Sequence, residues 1–249
     1  MVEPAPAGVA IVTGAAGGIG RAVVQLLRAR GYSIVAEDIS PRVTELAAEA
    51  DGQVIPLQAD VARTESARRA VGLATGTFGR LDLLVNNAGL FLRKPTEHCT
   101  DEDFDVLMAT NVRGAFIHAR EALPALAQTR GSIVNLASIS GLVGMPGQAV
   151  YAMTKGAIVQ LTRQLAIEHA PRVRVNAVAP GAIDTGFMDE ALTGVPDREA
   201  TLASVAASHP LGRLARAEEI AEVIAFLASP RSSIITGAVL MADGGFTAQ

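Results

Sequence analysis

The chain has 249 residues, of which 49% are hydrophobic, and this supplies enough apolar surface for the core of one large or two small α/β domains. The formal net charge of −4, with no run of basic residues, argues against nucleic acid or an acidic membrane surface as a partner. The single cysteine, Cys99, excludes an internal disulfide framework and a multi-cysteine metal site, so we expect a reducing compartment.

The N-terminal sequence MVEPAPAGVA has neither the basic nor the apolar region of a secretory signal, and we expect a soluble, cytoplasmic protein. An uncharged stretch over 131–154 is long enough to cross a bilayer. It contains Pro146, four glycines and several amide and hydroxyl side chains, so we predict neither a transmembrane helix nor a membrane partner.

Short apolar runs alternate along the chain with longer segments of helical periodicity. In chain order the runs are VAIVT, SIVAE, QVIPL, LDLLVN, SIVNLAS and VRVNAVA, whose composition is typical of strands buried on both faces. The helical spacing predicts helices over 19–30, 41–50, 64–78, 101–128, 149–169 and 217–227. We expect Gly31 to terminate the first of these helices and Thr100 to cap the start of the fourth.

This alternation predicts right-handed βαβ crossovers, and therefore an α/β fold with a doubly wound parallel sheet and helices on both faces. No change in composition and no Pro/Ser-rich linker divides the chain, so residues 1–249 are predicted to form one domain. The least regular segment, over 186–209, precedes the last helix and is predicted to be a mobile substrate flap.

A glycine-rich turn, TGAAGGIG, follows the first predicted strand and leads into the first helix. Glycines allow positive φ and the close approach of a pyrophosphate, while the helix N-terminus offers unpaired N–H groups. A tight turn without a ligand is the alternative, but the strand-to-helix context favours a dinucleotide. The predicted phosphate-binding residues are Gly14, Gly17, Gly18, Ile19 and Gly20.

Asp38 lies about twenty residues after this turn, at the end of the second predicted strand. A carboxylate there can accept hydrogen bonds from both hydroxyls of an adenosine ribose and would repel a 2′-phosphate. Gly17 occupies the position where an arginine could bind that phosphate, so NAD is favoured over NADP. Arg42 is the one nearby cation that opposes this inference, and a polar strand end without a ligand is the alternative.

Six motifs follow in order: TGAAGGIG, NNAG at 86–89, Asn111, Ser138, YAMTK at 151–155 and PGAIDT at 180–185. Together, from Val9 to the closing TGAVLMADGG, they resemble the short-chain dehydrogenases/reductases of the compact single-domain type. The resemblance implies a Rossmann-type seven-stranded sheet, a nicotinamide cofactor, and a homotetramer formed through long helices and the C-terminal strand. It also implies cofactor contacts from Asp60, Val61, Asn87, Ala88, Gly89, Tyr151, Lys155, Pro180, Gly181, Ile183 and Thr185.

Tyr151 and Lys155 lie four residues apart on a predicted helix, so both side chains project from one face. Oxidation of an alcohol needs a base with a pKa near the working pH, and free tyrosine, at about 10, is too weak. A neighbouring ammonium and a positively charged nicotinamide ring favour the phenolate. We therefore predict Tyr151 as the acid/base and Lys155 as the group that lowers its pKa, and the resemblance adds that Lys155 binds the nicotinamide ribose.

Ser138, at the carboxyl end of a predicted strand, can donate a hydrogen bond to a developing oxyanion and so polarise a carbonyl. The resemblance places Asn111 in the proton path, where it would hold a water that links Lys155 to solvent. Taken singly, Ser138 could be a strand cap and Asn111 a buried structural amide. Their occurrence together with Tyr151, Lys155 and the glycine turn favours catalytic roles.

These observations predict an oxidoreductase that transfers a hydride between NAD and a small secondary alcohol or ketone. Three alternatives are an NADP-dependent 3-oxoacyl reductase, an epimerase or dehydratase of the same family, and a non-catalytic nucleotide-binding sensor. The four histidines show no ligand spacing, so no catalytic metal is predicted. Candidate substrate contacts, each with ordinary packing or solvation as the alternative, are Arg93, Lys94, Met145, Gln148 and Met188.

Overall fold

The computed structural model describes residues 8–48, 52–186 and 197–249. Its main sheet has seven strands in the order β3-β2-β1-β4-β5-β6-β9, and every pairing is parallel. The predicted doubly wound parallel sheet is therefore confirmed. The strands are β1 (Gly8–Thr13), β2 (Tyr32–Asp38), β3 (Val54–Gln58), β4 (Leu83–Asn86), β5 (Ser132–Leu136), β6 (Arg174–Pro180) and β9 (Val239–Ala242), with a separate pair formed by β7 (Ile183–Asp184) and β8 (Ala215–Arg216).

Helices cover both faces of the main sheet. They are α1 (Gly18–Ala29), α2 (Glu45–Ala48), α3 (Thr64–Phe78), α4 (Asp101–Leu107), α5 (Gly114–Thr129), α6 (Ala149–His169), α7 (Arg198–Ala207) and α8 (Ala217–Ala228). Alternate residues of β1 face opposite sides, as strand geometry requires. Ala10 and Val12 pack with α1 and α8, whereas Val9 and Ile11 pack with α3, α5 and α6.

The observed helices differ from the sequence prediction at three places. A π-helix, Met108–Arg113, lies between α4 and α5, where the sequence predicts one continuous helix. A 3₁₀ turn, Pro41–Thr44, precedes α2, where the sequence also predicts one helix. Of the predicted flap, residues 187–196 lie outside the described ranges, and α7 occupies much of the rest. Both predicted helix ends are confirmed: Gly31 has φ 82°, and Thr100 forms a capping box with Asp103.

A polar cluster is buried between β2, α3 and α5. The carboxylate of Glu37 lies 2.9 Å from Nε2 of His118 and also accepts a hydrogen bond from the hydroxyl of Ser66. The other ring nitrogen of His118, Nδ1, lies 2.8 Å from the carbonyl oxygen of Gly114. Each carboxylate oxygen of Glu37 therefore has a polar partner, and each ring nitrogen of His118 faces an oxygen atom. These partners are what allows a fully buried carboxyl group in the core.

We expect the substitution His118→Ala to lower the free energy of unfolding by about 3–5 kcal/mol, because it leaves Glu37 buried without its partner. Urea unfolding at neutral pH measures this loss. The matched control is Glu37→Gln combined with His118→Ala, which leaves the same cavity but no buried carboxylate. An equal loss in the single and double variants would contradict this account of the cluster.

Candidate active site

The predicted site residues meet at the carboxyl end of the sheet, where β1 and β4 lie side by side and their following segments diverge to opposite faces. Open α/β sheets bind ligands at this switch point. A cavity of about 940 Å³ opens there. It is lined by every residue that the sequence analysis assigned to catalysis or to the cofactor except Asn111, which is buried beneath it.

The glycine turn presents bare backbone to this cavity. A Cβ added to Gly20 would lie 2.0 Å from the carbonyl oxygen of Gly14, so no side chain fits at that position. Gly17 differs, because a Cβ there would meet nothing closer than the same oxygen at 3.5 Å. No side chain caps the N-terminus of α1, so its first N–H groups are available to an anion, and the turn fits a dinucleotide pyrophosphate.

Hydrogen bonds join the glycine turn to the NNAG segment after β4. The hydroxyl oxygen of Thr13 accepts from the backbone N–H groups of Asn87 and Ala88, both at 3.1 Å. The side-chain amide of Asn87 donates to the carbonyl oxygens of Thr13 and Gly14, at 2.9 and 3.0 Å. Thr13 is a positioning residue that the sequence analysis missed, although a hydroxyl directly before the glycines was the available signal.

Asp38 is held at the other rim of the glycine turn. Its Oδ2 accepts from the backbone N–H of Ala16 at 2.9 Å, and its Oδ1 accepts from that of Ser40 at 2.8 Å. Each oxygen keeps lone-pair capacity for a further donor.

Two arginines line the same end of the cavity as Asp38. Arg21 and Arg42 both face the carboxylate of Glu45, at 3.2 and 3.8 Å. Each cation therefore lies against a carboxylate of the chain itself, which competes with any phosphate for it.

Asn111 lies in the π-helix and is almost completely buried. Its Oδ1 accepts from the backbone N–H of Leu90 at 2.7 Å, and its Nδ2 donates to Leu90 O at 2.9 Å and to Thr154 Oγ1 at 3.0 Å. Both amide hydrogens are used by these bonds, so the side chain has no donor left for a water. Asn111 thus ties the loop after β4 to α6, next to Lys155, and its part in a proton path stays a prediction.

Lys155 and Tyr151 project into the cavity from α6, as their spacing predicts. The Nζ of Lys155 donates to the carbonyl oxygen of Leu136 at 2.7 Å and lies 5.7 Å from the centre of the Tyr151 ring. Burial lowers the pKa of Lys155 from 10.5 to about 8, because the charged form loses its hydration. The ammonium still prevails at pH 7, and it keeps donors free for a ligand.

Burial raises the pKa of Tyr151 from 10 to about 12, while a hydrogen bond with Ser138 acts in the opposite direction. The sequence analysis predicted that the ammonium of Lys155 lowers this pKa, but the net direction is upward because burial dominates. Phe91 packs its ring edgewise against Tyr151, 4.9 Å between centroids, and helps to exclude the water that would hydrate a phenolate. Tyr151 is therefore a neutral phenol at pH 7.

Ser138 lies two residues beyond β5, which ends at Leu136 rather than at the serine as the sequence analysis expected. Its hydroxyl begins a short hydrogen-bonded chain. Ser138 Oγ donates to Ser140 Oγ at 3.3 Å, and Ser140 Oγ donates to Oε1 of Gln148 at 2.7 Å. The chain links the predicted carbonyl-polarising hydroxyl to a residue that lines the cavity further out.

His209 is a second positioning residue that the sequence analysis missed, since it considered the four histidines only as possible metal ligands. Its Nδ1 donates to Val205 O at 2.7 Å, and its Nε2 accepts from the backbone N–H of Ala182 at 3.2 Å. Its ring lies 5.2 Å from that of Phe246 near the C-terminus. His209 therefore connects α7, the PGAIDT segment and the C-terminal residues, and nothing in the local sequence signals these long-range contacts.

Within the described parts of the chain, no group of three or more His, Cys, Asp or Glu residues is arranged to hold a metal ion. None of the helices in those parts combines the length and the apolarity that a membrane span requires. Met188, a candidate pocket residue in the sequence analysis, lies outside the described residues.

Comparison with known proteins decides the family. The family model described as Enoyl-(Acyl carrier protein) reductase matches residues 14–247. The chain is 38% identical over 245 residues to the 3-oxoacyl-(acyl-carrier-protein) reductase FabG of Thermotoga maritima, covering 95% of this chain and 96% of that protein. It is 39% identical over 247 residues to the cis-4-hydroxycyclohexanecarboxylate dehydrogenase of Sinomonas cyclohexanicum, covering 96% of each. The solved structure titled ElxO with NADP Bound superposes with a TM-score of 0.89 at 30% identity, over 97% of this chain and 99% of that one.

The chain belongs to the short-chain dehydrogenase/reductase family. This short-chain dehydrogenase/reductase is an oxidoreductase that acts on alcohol or ketone groups with a nicotinamide cofactor. Its glycine turn, bare helix N-terminus and buried lysine fit such a cofactor on geometry alone.

We expect the substitution Lys155→Met to stabilise this short-chain dehydrogenase/reductase against unfolding at pH 7, by about 1–3 kcal/mol, while abolishing turnover. The folded protein holds fewer protons on Lys155 than the unfolded chain between about pH 8 and 10.5, so the wild type gains stability as pH rises through that window. The advantage of the variant should therefore shrink above pH 8. Urea unfolding at pH 7, 8, 9 and 10 measures it, and a constant difference would contradict the argument.

Proposed function

We propose that this enzyme is an NAD-preferring dehydrogenase that interconverts a secondary alcohol and a ketone. In the proposal Tyr151 is the acid/base, Lys155 supports its charge, Ser138 polarises the carbonyl and Asn111 holds the proton path in place. The observation that carries the proposal is the burial of Tyr151 and Lys155 beside Ser138 in the cavity that the glycine turn also lines.

When bound, NAD supplies the hydride acceptor and NADH the donor. In ketone reduction Tyr151 gives its Oη proton to the carbonyl oxygen, and its raised pKa favours this role because the phenol is fully protonated at neutral pH. Ser138 donates a hydrogen bond to the same oxygen as negative charge develops there. In alcohol oxidation the phenolate must accept the proton, and the Lys155 ammonium stabilises it in a site with little water to screen the charge.

In the proposal Asn111 acts through its neighbours. By bonding both Leu90 and Thr154 it fixes the loop after β4 against the turn of α6 that carries Lys155. Asn111 is therefore a positioning residue, and the water that would connect Lys155 to solvent belongs to the proposal.

The proposed cofactor site runs from the glycine turn to the PGAIDT segment. Asp38 binds the adenosine ribose, Asp60 and Val61 lie against adenine, and Ile183 and Thr185 hold the nicotinamide amide. The remaining proposed contacts are Gly14, Gly17, Gly18, Ile19, Gly20, Asn87, Ala88, Gly89, Tyr151, Lys155, Pro180 and Gly181.

NADP-dependent 3-oxoacyl reduction is the second candidate, supported by the FabG relative and by the NADP-bound neighbour. Against NADP stand the charge of Asp38 and the engagement of Arg21 and Arg42 by Glu45. A 2′-phosphate would have to approach the first and compete with Glu45 for the arginines.

We also propose a homotetramer of single-domain subunits that works in the cytoplasm. Large apolar side chains are exposed on α4, α5 and α6, among them Phe104, Phe116 and Ile167, the last at 79%. The edge strand β9 adds Leu240 and Met241. Exposed apolar side chains of this kind support contacts between copies of the chain.

We expect Tyr151→Phe to lower kcat by at least ~10² while the Kd for NADH changes little, because only the transferable proton is removed. Steady-state kinetics on a panel of secondary alcohols and fluorescence titration with NADH measure the two quantities. Tyr32→Phe is the matched control, since Tyr32 is the only other tyrosine and lies in β2, outside the cavity lining. Near-normal turnover by the Tyr151 variant would refute the assignment of Tyr151 as the acid/base.

We expect Asp38→Asn to lower the ratio of kcat/KM with NAD to kcat/KM with NADP by about tenfold or more, because the repulsion of a 2′-phosphate is removed while an oxygen acceptor stays. Glu45→Gln should move the ratio in the same direction by releasing Arg21 and Arg42. Glu222→Gln provides the control, as this exposed carboxylate pairs with Arg30, away from the cavity. Unchanged ratios in both test variants would refute the proposed NAD preference.

A further inference from the structure

Two adjacent cations, Arg93 and Lys94, lie in the loop that follows β4, and their surroundings differ. The Nζ of Lys94 lies 2.6 Å from Oδ2 of Asp103, at the capped start of α4. Arg93 is exposed and lines the cavity. Among the residues that the structure describes, none forms an ion pair or hydrogen bond with its guanidinium. Arg93 thus brings an uncompensated positive charge to the cavity.

The backbone holds the stem of Arg93 in place. The N–H of Lys94 donates to the carbonyl oxygen of Gly147 at 2.7 Å, which joins the loop after β4 to the loop before α6. Gly147 has φ 73°, and a Cβ added to it would lie 3.4 Å from Cγ of Arg93. The arginine therefore leaves the backbone at a fixed point on the cavity wall, and only its end is free to reach a ligand.

Arg93 lines the same cavity as the residues of the proposed reaction centre. Phe91 contacts the ring of Tyr151, and the Cα of Arg93 can lie at most about 7 Å from that of Phe91. Gln148 lines the same cavity. Its Oε1 accepts a hydrogen bond from Ser140, and no acceptor for its amide N–H groups is found among the described residues. Leu90, Phe91 and Met145 supply apolar lining of the same cavity.

We propose that the substrate is a hydroxy or oxo carboxylic acid whose carboxylate binds Arg93, with the reacting carbon a few methylene groups away at Tyr151. This inference rests on the proposed function of the site. The planar guanidinium pairs with a carboxylate through two parallel hydrogen bonds, and the amide of Gln148 offers a further donor. The apolar wall contacts the intervening carbons.

The test compares each acid with its neutral, isosteric amide: 3-hydroxybutanoate, 4-hydroxypentanoate and 5-hydroxyhexanoate against the three corresponding amides, with NAD. For the chain length that fits, we expect kcat/KM to be about tenfold or more higher for the acid, and the ratio to fall as ionic strength rises. Arg93→Gln should reduce the ratio by about tenfold, mainly through KM for the acid. Lys94→Gln is the matched control, since it removes the neighbouring charge that Asp103 already neutralises, and the ratio should not change.

Binding without chemistry gives a second readout. In the presence of NADH, hexanoate should raise the Tm of the wild type more than hexanamide does, and Arg93→Gln should remove this difference. Equal Tm shifts for acid and amide in the wild type would overturn the proposal even if no member of the panel is turned over.

Three further results would each overturn the proposal: acid-to-amide ratios near one in the wild type at every chain length, a ratio that Arg93→Gln leaves unchanged, or a rise in KM for NAD alone in that variant. The failure of the proposed function looks different. If neutral amides are oxidised in a Tyr151-dependent manner, the dehydrogenase assignment stands even when the acids show no advantage. If acids bind specifically but no acid, amide or neutral alcohol is turned over, the anion site stands and the dehydrogenase assignment is refuted.

Discussion

The contact between the ends of β1 and β4 is the constraint on which the rest of this site depends. Parallel pairing brings both carboxyl ends to one edge of the sheet, and the hydroxyl of Thr13 then receives two backbone N–H groups from the next loop. The side-chain amide of Asn87 donates two hydrogen bonds to carbonyl oxygens of the glycine turn. The glycine turn and the loop that approaches Tyr151 are therefore one hydrogen-bonded unit.

Burial at this unit acts on two ionisable groups in opposite directions. It lowers the pKa of Lys155 and raises that of Tyr151, so the neutral forms of both are favoured relative to water. At pH 7 this costs stability at Lys155, whose charged form loses hydration, and in the proposed function the same burial keeps water from the place where a proton and a hydride move. The ammonium of Lys155 donates to the carbonyl oxygen of Leu136 and not to the phenol, and a positively charged ring bound beside them would favour the phenolate.

The sequence was informative where structure is local. The glycine turn, Asp38 and the Tyr151–Lys155 pair could be identified because each depends on spacing within one strand, turn or helix. The π-helix at 108–113 was not predictable, because apolar periodicity continues through it and only the packing of Asn111 against Leu90 and Thr154 distinguishes it. The Glu37–His118 pair and the contacts of His209 join residues 81 and 27 positions apart, so no local pattern predicts them. The direction of the Tyr151 pKa was predicted wrongly for a related reason. It depends on the distance between Lys155 and the phenol and on how little water reaches the two groups.

Gly17 and Gly20 stand three residues apart in one turn and are constrained very differently. The space around Gly20 admits no carbon atom, so that position is fixed by the fold itself. Gly17 has an ordinary backbone conformation and open space beside it, facing the end of the cavity where Asp38 lies. If the proposed function holds, a single substitution at Gly17 can change the choice of nucleotide in evolution while the turn itself is left intact.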